Sequence, residues 1–202
     1  MNKIVKNITE LDFNGTYTYA DYLLWWFDQR VELIKGKIFQ MSPAPNRKHQ
    51  KISMKLTQSL LNGTLNCKKC EVYSAPFDVR LLDKTKSQAK NEEIYTVVQP
   101  DLCVICDSSK LDEQGCIGAP DLIVEILSPG NSKKDLKIKY LLYEEAGVRE
   151  YWIVFPSEQV LQQFILNEQG KFELRNSYAE DEKFYSYIFP ELEVDLSEVF
   201  KE

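Results

Sequence analysis

Apolar and polar residues in the first third of the chain follow two different periods. Val31 to Met41 alternates apolar and polar residues around Lys35-Gly36, which predicts a β-hairpin with a tight turn. Asn46 to Leu61 repeats its apolar residues at helical spacing and predicts an amphipathic helix. Its apolar face carries Ile52, Leu56 and Leu60, and another face carries Lys48, Lys51 and Lys55. Before both, Thr18 to Phe27 predicts a short aromatic-rich helix with Thr18 as its N-cap.

Two β-rich runs follow, and a third strand differs from them in being apolar on both faces. Glu71 to Leu82 and Tyr95 to Cys106 are the first two runs, and the polar stretch Asp83 to Glu93 between them predicts a mobile loop. Asp121 to Leu127 is apolar except at its two acidic residues. That pattern is typical of a central strand covered by helices on each side.

The last third of the chain predicts a strand-helix-strand unit and a late hairpin. Asn131 to Ala146 is a helix ended by Gly147, and Glu150 to Phe155 is the strand after it, an order that usually makes the two strands parallel neighbours. The closing segments are the hairpin strands Val160 to Leu166 and Lys171 to Tyr178, and the end Leu192 to Phe200. The whole pattern predicts a mixed sheet with helices packed on it.

Composition adds the class of protein to this pattern. Hydrophobic residues make up 44% and charged residues 28% of the chain, as in an ordinary folded protein. We expect residues 1–202 to form one domain, with an irregular segment at 1–17. The sequence contains no run of about 18 to 20 apolar residues, and its first residues lack the apolar core of a signal peptide. These observations predict a cytoplasmic protein without a membrane span.

The charge of the chain argues against the simplest kind of nucleic-acid binder. The formal net charge is -6 and the pI is near 5.1, whereas affinity for the phosphate backbone comes largely from Lys and Arg. A nuclease nevertheless concentrates acidic side chains where it binds metal, and a local basic surface can still hold the backbone. The charge therefore does not exclude a nuclease.

Acidic residues within the apolar strands are candidates for a metal site. Burying Asp101 or Glu125 alone is costly unless a metal or another partner compensates the charge. Asp121 points to the same side as Glu125, because strand side chains alternate with period two, and it is a third candidate ligand. The alternatives are an ion pair inside the sheet for the first two residues, and a cap of the preceding turn for Asp121.

Helical geometry selects a lysine to accompany these carboxylates. At about 100° per residue, Lys139 shares one stripe of its helix with Leu136, Tyr140 and Tyr143, whereas Lys137 lies on the flank. Lys139 is therefore predicted to point inward, and Tyr143 is an accessory candidate on the same stripe. The alternative for Lys139 is a surface ion pair with the aspartate four residues earlier, which is common on helices.

The segment from Pro120 to Pro156 resembles the signature segment of the Uma-type family of restriction-endonuclease-like proteins, in the PD-(D/E)XK nuclease superfamily. The resemblance extends to Val31–Ser53, Val97–Ile105 and Pro190–Phe200, so it covers most of the chain. It implies an α/β protein with the restriction-endonuclease-like three-layer α/β/α fold and a mixed central sheet.

The resemblance also implies roles for the candidate residues. Asp101 and Glu125 would bind Mg²⁺ or Mn²⁺, and Lys139 would be the active-site lysine. The superfamily usually places this lysine two residues after the glutamate, where the chain has Leu127, so the lysine would have moved onto the following helix. Glu32 would be an early acidic residue that completes the metal site or holds the lysine. Without the resemblance, an exposed strand residue is the better interpretation of Glu32.

A Mg²⁺-dependent endonuclease is the predicted function, with DNA as the expected substrate. The residues expected to contact the nucleic-acid backbone are Lys48, Lys51, Lys55 and Lys133. His49 falls on the inner face of its helix, where a packing or hydrogen-bonding role is as open as a catalytic one. Enzymes that cut both strands of a duplex are commonly symmetric, which predicts a homodimer.

Two other functions use the same residues differently. A nuclease fold that no longer cuts could serve as a module that binds nucleic acid or a protein partner. A purely structural interaction protein would leave the acidic residues of the apolar strands as an unexplained cost. Binding of Mg²⁺ or Mn²⁺ separates the predicted enzyme from both.

Five cysteines raise the question of a zinc site. In a chain without a secretion signal we expect reduced thiols. Cys67-x-x-Cys70 and Cys103-x-x-Cys106 have the spacing of zinc half-sites. On a strand, however, the odd separation turns Cys103 and Cys106 to opposite faces, so they cannot easily converge on one ion. The first pair is better explained as a turn with free thiols.

Overall fold

The computed structural model describes residues 4–41, 46–65, 67, 69–82, 90–128 and 133–201. For residues 133–135 it describes the backbone only. Over these ranges the α-helices are α1 (Tyr19–Tyr22), α2 (Arg47–Thr64), α3 (Lys133–Ala146) and α4 (Leu196–Phe200). The strands of the same ranges are β1 (Val31–Ile34), β2 (Lys37–Gln40), β3 (Glu71–Ser74), β4 (Val79–Arg80), β5 (Val97–Val98), β6 (Leu102–Ile105), β7 (Leu111–Asp112), β8 (Gly115–Ile117), β9 (Leu122–Ile126), β10 (Glu150–Phe155), β11 (Val160–Leu166), β12 (Phe172–Tyr178), β13 (Lys183–Tyr185) and β14 (Glu193–Asp195). A search of the described helices finds none with the length and apolarity that crossing a membrane requires.

The central sheet has the strand order β12-β11-β10-β9-β6-β3. Strands β9 and β10 are parallel and are connected through α3, which confirms the predicted strand-helix-strand unit. The other neighbours in this sheet are antiparallel, including the predicted hairpin of β11 and β12. Every residue of β9 is buried, as its apolar pattern predicted.

A second sheet, with the order β2-β1-β5-β4-β8-β7, was not predicted. Each of the two β-rich runs that the sequence presented as one segment is divided between the two sheets. The first run divides around Pro76 into β3 and β4, and the second divides around Pro100 into β5 and β6. Proline has no backbone N–H for the strand ladder, so each proline ends pairing in one sheet before the chain enters the other.

The central sheet is covered on both faces, which confirms the three-layer arrangement. On one face α2 and α4 pack against β6, β9 and β10, and the contact includes Leu56, Val124 and Trp152. On the other face lie α3 and the second sheet, where Tyr143 and Ile34 join the same core as Ile123. Glu125, the acidic residue of β9, shares a side with Ile123 and therefore faces α3.

Local conformations explain the predicted ends of several elements. The β1–β2 hairpin turns at Lys35 and Gly36, whose φ angles of 50° and 79° are those of a tight hairpin turn. Thr18 caps α1 as predicted, but the helix ends at Tyr22 and not near Phe27. It ends early because the following residues form a bridge with the N-terminal segment, in which Val5 and Trp25 are partners.

The predicted loop and the predicted irregular N-terminal segment both contain a short 3-10 helix. In the predicted loop, Asn91–Glu93 form this helix, and residues 83–89 lie outside the described residues. The segment expected to be irregular at 1–17 contains one short 3-10 helix, Ile8–Glu10, within its described part. The small hairpin of β13 and β14 before α4 was not predicted.

Candidate active site

Glu125 lies at the centre of the site because it is a buried carboxylate near the end of β9. The side chains of Val124 and Ile126 point into the core beneath α2, and strand alternation turns Glu125 to the opposite face, toward α3. Glu125 is 7% exposed. A carboxylate buried to this degree requires hydrogen-bonding or charged partners.

Lys139 and Tyr143, four residues apart on α3, both donate to Oε1 of Glu125. Lys139 Nζ is 2.9 Å from this oxygen, and the Tyr143 hydroxyl is 2.6 Å from it. Residues at this spacing share a face of a helix, which is the reason that the sequence placed them on one inward stripe. The predicted inward direction of both side chains is confirmed.

Glu32 brings a second carboxylate to Lys139 from the middle of β1. Its Oε1 accepts hydrogen bonds from Lys139 Nζ at 2.9 Å and from the backbone N–H of Gln99 at 2.9 Å. Glu32 is 5% exposed, so the interpretation as an exposed strand residue is wrong. The pairing of β1 with β5 holds this strand beside the segment that leads into β6.

Asp101 supplies the third carboxylate, from the residue directly before β6. The antiparallel register pairs Leu102 with Val124, so Asp101 falls opposite Glu125 on the neighbouring strand. Its Oδ2 accepts the backbone N–H of Ile126 at 2.7 Å, and its Oδ1 lies 3.3 Å from Nε2 of His49. The side chain of Asp101 remains 22% exposed, which leaves this carboxylate accessible from solvent.

His49 reaches Asp101 from the first turn of α2. Asn46 caps this helix through the His49 backbone N–H, and this cap fixes the position of the first turn. Burial lowers the pKa of His49, but the hydrogen bond and charge of Asp101 outweigh burial and raise the pKa above its ordinary value. The described residues provide no hydrogen-bond partner for the buried Nδ1. Among the described residues the imidazole therefore has Asp101 as its polar side-chain partner.

Burial and crowding of like charges dominate the electrostatics. The pKa of Glu125 is raised to about 7, first by burial, against the lowering effect of Lys139, and further by Asp101 and Glu32. Burial lowers the pKa of Lys139, but Glu125 and Glu32 outweigh burial and raise it, so the lysine is charged. The pKa of Tyr143 is raised by burial and by Glu125, so its hydroxyl stays a proton donor.

The donor set has the chemistry of a divalent-cation site, although oxygens of all three carboxylates do not lie within 4.8 Å of one another in this structure. Glu32, Asp101 and Glu125 carry three negative charges when ionised, against one positive charge on Lys139. Glu32 and Glu125 accept the hydrogen bonds described above through Oε1. Among the described residues, Oε2 of each glutamate therefore remains for a ligand. Carboxylate oxygens are the ligands that Mg²⁺ and Mn²⁺ prefer.

Asp121 is not brought to this group, although it shares a face of β9 with Glu125. Four residues of strand separate the two side chains by about 13 Å. Asp121 Oδ2 accepts the backbone N–H of Cys106 at 2.8 Å, and its Oδ1 accepts from Arg149 at 3.1 Å. The carboxylate is committed to the other end of the strand, so we do not include Asp121 among the proposed metal ligands.

The lysines predicted to contact nucleic acid differ in position along α2. Lys48 adjoins His49 in the first turn, and Lys51 follows one turn later, both half-buried. Lys55 is about 10 Å further along the helix than Lys48, and its Nζ lies 3.5 Å from Glu198. The side chain of Lys133 lies outside the described residues.

Gln99 is a site residue that the sequence argument missed. Its backbone N–H holds Glu32, and its side chain donates to Asp78 Oδ1 at 2.8 Å and accepts from Arg30 at 2.8 Å. The signal available in the sequence was its position two residues before Asp101. Its partners come from distant parts of the chain, so only the fold reveals what it contacts.

Comparison with known proteins finds matches that cover most of the chain. A family model described as "Uma2: Putative restriction endonuclease" matches residues 19–197. A protein of Synechocystis sp. named "Uncharacterized protein slr1290" is 27% identical over 164 residues, which cover 80% of each chain.

One solved structure shares the fold. It is described as "a putative nuclease belonging to DUF820" from Anabaena variabilis, and it superposes with a TM-score of 0.68 at 21% identity. The similarity covers 91% of this chain and 97% of the other. At this identity the similarity shows a common fold, and it agrees with the mixed α/β architecture described above.

Proposed function

Because the chain belongs to the Uma2 family, we propose that it is a metal-dependent endonuclease that hydrolyses phosphodiester bonds, with DNA as its substrate. The observation that carries the proposal is the buried group in which Lys139 bridges Glu32 and Glu125, next to Asp101. A purely structural role would not require like charges to crowd at one buried position, where they oppose one another's ionisation.

Asp101 and Glu125 are the proposed metal ligands, and Glu32 is the third acidic residue of the site. A bound Mg²⁺ or Mn²⁺ would polarise the phosphate and lower the pKa of a water molecule that attacks it. Asp101 is held for this purpose by the Ile126 N–H and by His49, and Glu125 is held by Tyr143. The chain's own hydrogen bonds therefore orient the carboxylates before any ligand arrives.

Lys139 is the proposed source of positive charge beside the scissile phosphate. Its ammonium group keeps its proton because two glutamates surround it. A fixed cation in a site of low dielectric stabilises the negative charge that develops on a phosphate in the transition state. The side chain is 16% exposed, so it lies at the boundary between the core and the solvent that a substrate would displace.

The start of α2 is the proposed contact for the DNA backbone. Lys48 and Lys51 lie on the same helical segment as His49, and His49 contacts Asp101. Lys48 and Lys51 can therefore hold phosphates on either side of the cleaved bond. A local basic surface of this kind is compatible with a formal net charge of -6, because backbone attraction depends on nearby charges. The predicted homodimer remains part of this proposal.

The acidic charge of the chain favours one second candidate, a nuclease fold that binds a protein partner and does not cut. In this alternative Lys139 only neutralises Glu32 and Glu125 as an internal ion pair. The two candidates differ in one measurable property. The enzyme needs a divalent cation at the carboxylates, whereas the module does not.

A cleavage assay tests the proposal directly. Purified protein is incubated with supercoiled plasmid, linear duplex and RNA in Mg²⁺, Mn²⁺ or chelator, and Glu125→Gln serves as the matched variant. We expect metal-dependent cleavage of DNA by the wild type and loss of that cleavage in the variant. Cleavage of RNA alone would correct the substrate. Absence of both cleavage and Mn²⁺ binding would favour the non-cutting module.

A further inference from the structure

Three cysteines converge at the opposite end of the central sheet from Asp101. Strands β3 and β6 are antiparallel and pair Glu71 with Ile105, so the residues just outside the ladder, Cys70 and Cys106, face each other. Cys67 reaches the same place through a turn after α2, in which the Cys70 N–H donates to the Cys67 carbonyl at 3.0 Å. The fold thus brings together residues from two distant segments.

The sulfurs of Cys67, Cys70 and Cys106 all lie within 4.8 Å of one another. The Cys70 sulfur lies at disulfide-bonding distance from the sulfurs of both Cys67 and Cys106. This arrangement contradicts the expectation of separate free thiols in the Cys67–Cys70 turn. Cys103 lies in the core on the other face of the sheet, which confirms that it and Cys106 point in opposite directions.

We propose that Cys67, Cys70 and Cys106 form a zinc site. A Cys-x-x-Cys turn with a third cysteine from a neighbouring strand supplies three of the four ligands of a tetrahedral Zn²⁺. A depression of about 350 Å³ beside Cys106, lined also by Glu71 and Asp107, has room for a fourth ligand, a water molecule or a carboxylate. All three cysteines are half-buried, so the ion can enter from solvent.

A disulfide is the competing fate of these cysteines. One sulfur can form only one disulfide bond, so oxidation of Cys70 with either neighbour would leave the third cysteine as a thiol. Zinc would instead use all three sulfurs as thiolates and release their protons on binding. The convergence of three sulfurs, where a disulfide needs two, is the observation that favours the metal.

The zinc site would join the end of α2 to the end of β6. The other end of α2, about 27 Å away, carries His49, and the other end of β6 follows Asp101. Zinc would therefore fix two elements that meet again at the candidate active site. The inference does not depend on the proposed nuclease activity, because it concerns thiolate ligands at the far end of the sheet.

Cobalt substitution in the full chain tests the proposal. The protein is reduced, freed of metal under anaerobic conditions and titrated with Co²⁺ and then Zn²⁺. We expect one thiolate-to-cobalt charge-transfer band that saturates at one ion per chain and disappears when zinc displaces the cobalt. We also expect Zn²⁺ to raise the melting temperature and to protect the three cysteines from alkylation.

Variants assign the signal to this cluster. Cys70→Ser should lose the charge-transfer band, whereas Cys103→Ala, which removes a buried thiol outside the cluster, should keep it. Glu125→Gln should also keep the band, because the carboxylate site contains no sulfur. The proposal is overturned if the reduced chain gives no thiolate band, if Cys70→Ser keeps it, or if the cluster stays disulfide-bonded in reductant.

Discussion

Glu125 and Glu150 are buried glutamates on the neighbouring parallel strands β9 and β10, and their surroundings differ. Glu150 accepts five hydrogen bonds from neutral donors, shared between both of its oxygens. The donors are Trp152 Nε1, Gln163 Nε2, Ser186 Oγ and the backbone N–H groups of Tyr187 and Ile188, at 2.7 to 3.0 Å. Glu125 uses Oε1 alone within the described residues, and two other carboxylates lie near it.

Glu150 is a structural carboxylate, whereas Glu125 is the one that we propose to bind a metal ion. Glu150 joins β10 to the segment after β13, and its charge is satisfied by donors that the fold provides. Glu125 is only partly satisfied and is crowded by Asp101 and Glu32. Burial alone therefore does not distinguish the two glutamates, and the metal-ligand role proposed for Glu125 rests on its incomplete satisfaction among like charges.

The largest expected effect comes from Glu150→Gln. The substitution replaces an acceptor oxygen by an amide NH₂ that faces N–H and O–H donors, so stability should fall by about 3 kcal/mol. For a domain of this size the melting temperature should fall by about 6 to 12 °C, measured by circular dichroism. The exposed Glu168→Gln is the control and should change little. An unchanged melting temperature in Glu150→Gln would contradict the structural role of Glu150.

The next effect concerns activity. Lys139→Ala removes the charge between Glu32 and Glu125, so the cleavage rate should fall by roughly 10² or more. Removal of the lysine leaves two buried carboxylates without their cation and should also lower stability, so the rate is measured at a temperature where circular dichroism shows the variant folded. The exposed Lys137→Ala, on the flank of the same helix, should change the rate by only a few fold. Equal losses in both variants, or full activity in Lys139→Ala, would contradict the role proposed for Lys139.

A smaller effect should appear on adding metal to the folded protein. At ten times its Kd, Mn²⁺ should stabilise the wild type by about 1.4 kcal/mol, seen as a rise of about 3 to 6 °C in melting temperature. Glu125→Gln should abolish this rise, whereas Glu150→Gln should keep it from a lower starting temperature. The comparison fails if both variants respond to Mn²⁺ in the same way.

The smallest effect is expected for Tyr143→Phe. The substitution keeps the ring and removes one hydrogen bond to Glu125, which retains Lys139 as a partner, so stability should fall by about 1 kcal/mol. Tyr140→Phe is the matched control, because it removes a hydroxyl that donates to the Phe172 carbonyl. Urea unfolding should give similar losses for both, and only Tyr143→Phe should alter the Mn²⁺ dependence of cleavage.

The sequence predicted those parts of the site that depend on local periodicity. Alternation placed Glu125 in a buried strand, and the 100° spacing of a helix turned Lys139 and Tyr143 inward. Both inferences concern the direction of a side chain within its own element. The structure confirms these directions because the elements themselves formed where the pattern indicated.

The parts that could not be predicted depend on pairing between distant segments. The burial of Glu32 follows from the second sheet, and no local pattern indicates that the chain passes from one sheet to the other at Pro76 and Pro100. The prediction that grouped Asp121 with Glu125 has the same limit. Asp121 lies on the same side of the sheet as Glu125, as predicted. Its partners Cys106 and Arg149, however, lie at the other end of the strand.

The register between β6 and β9 also limits how this protein can change in evolution. Asp101 and Glu125 meet because Leu102 pairs with Val124, and a slip of one residue would turn Glu125 into the apolar core beneath α2 and bring Val124 or Ile126 to Lys139. Single-residue insertions or deletions in β9 should therefore be far more harmful than substitutions there. Misaligned folding intermediates meet the same penalty, so the buried acid disfavours wrong strand pairings before any ligand is bound.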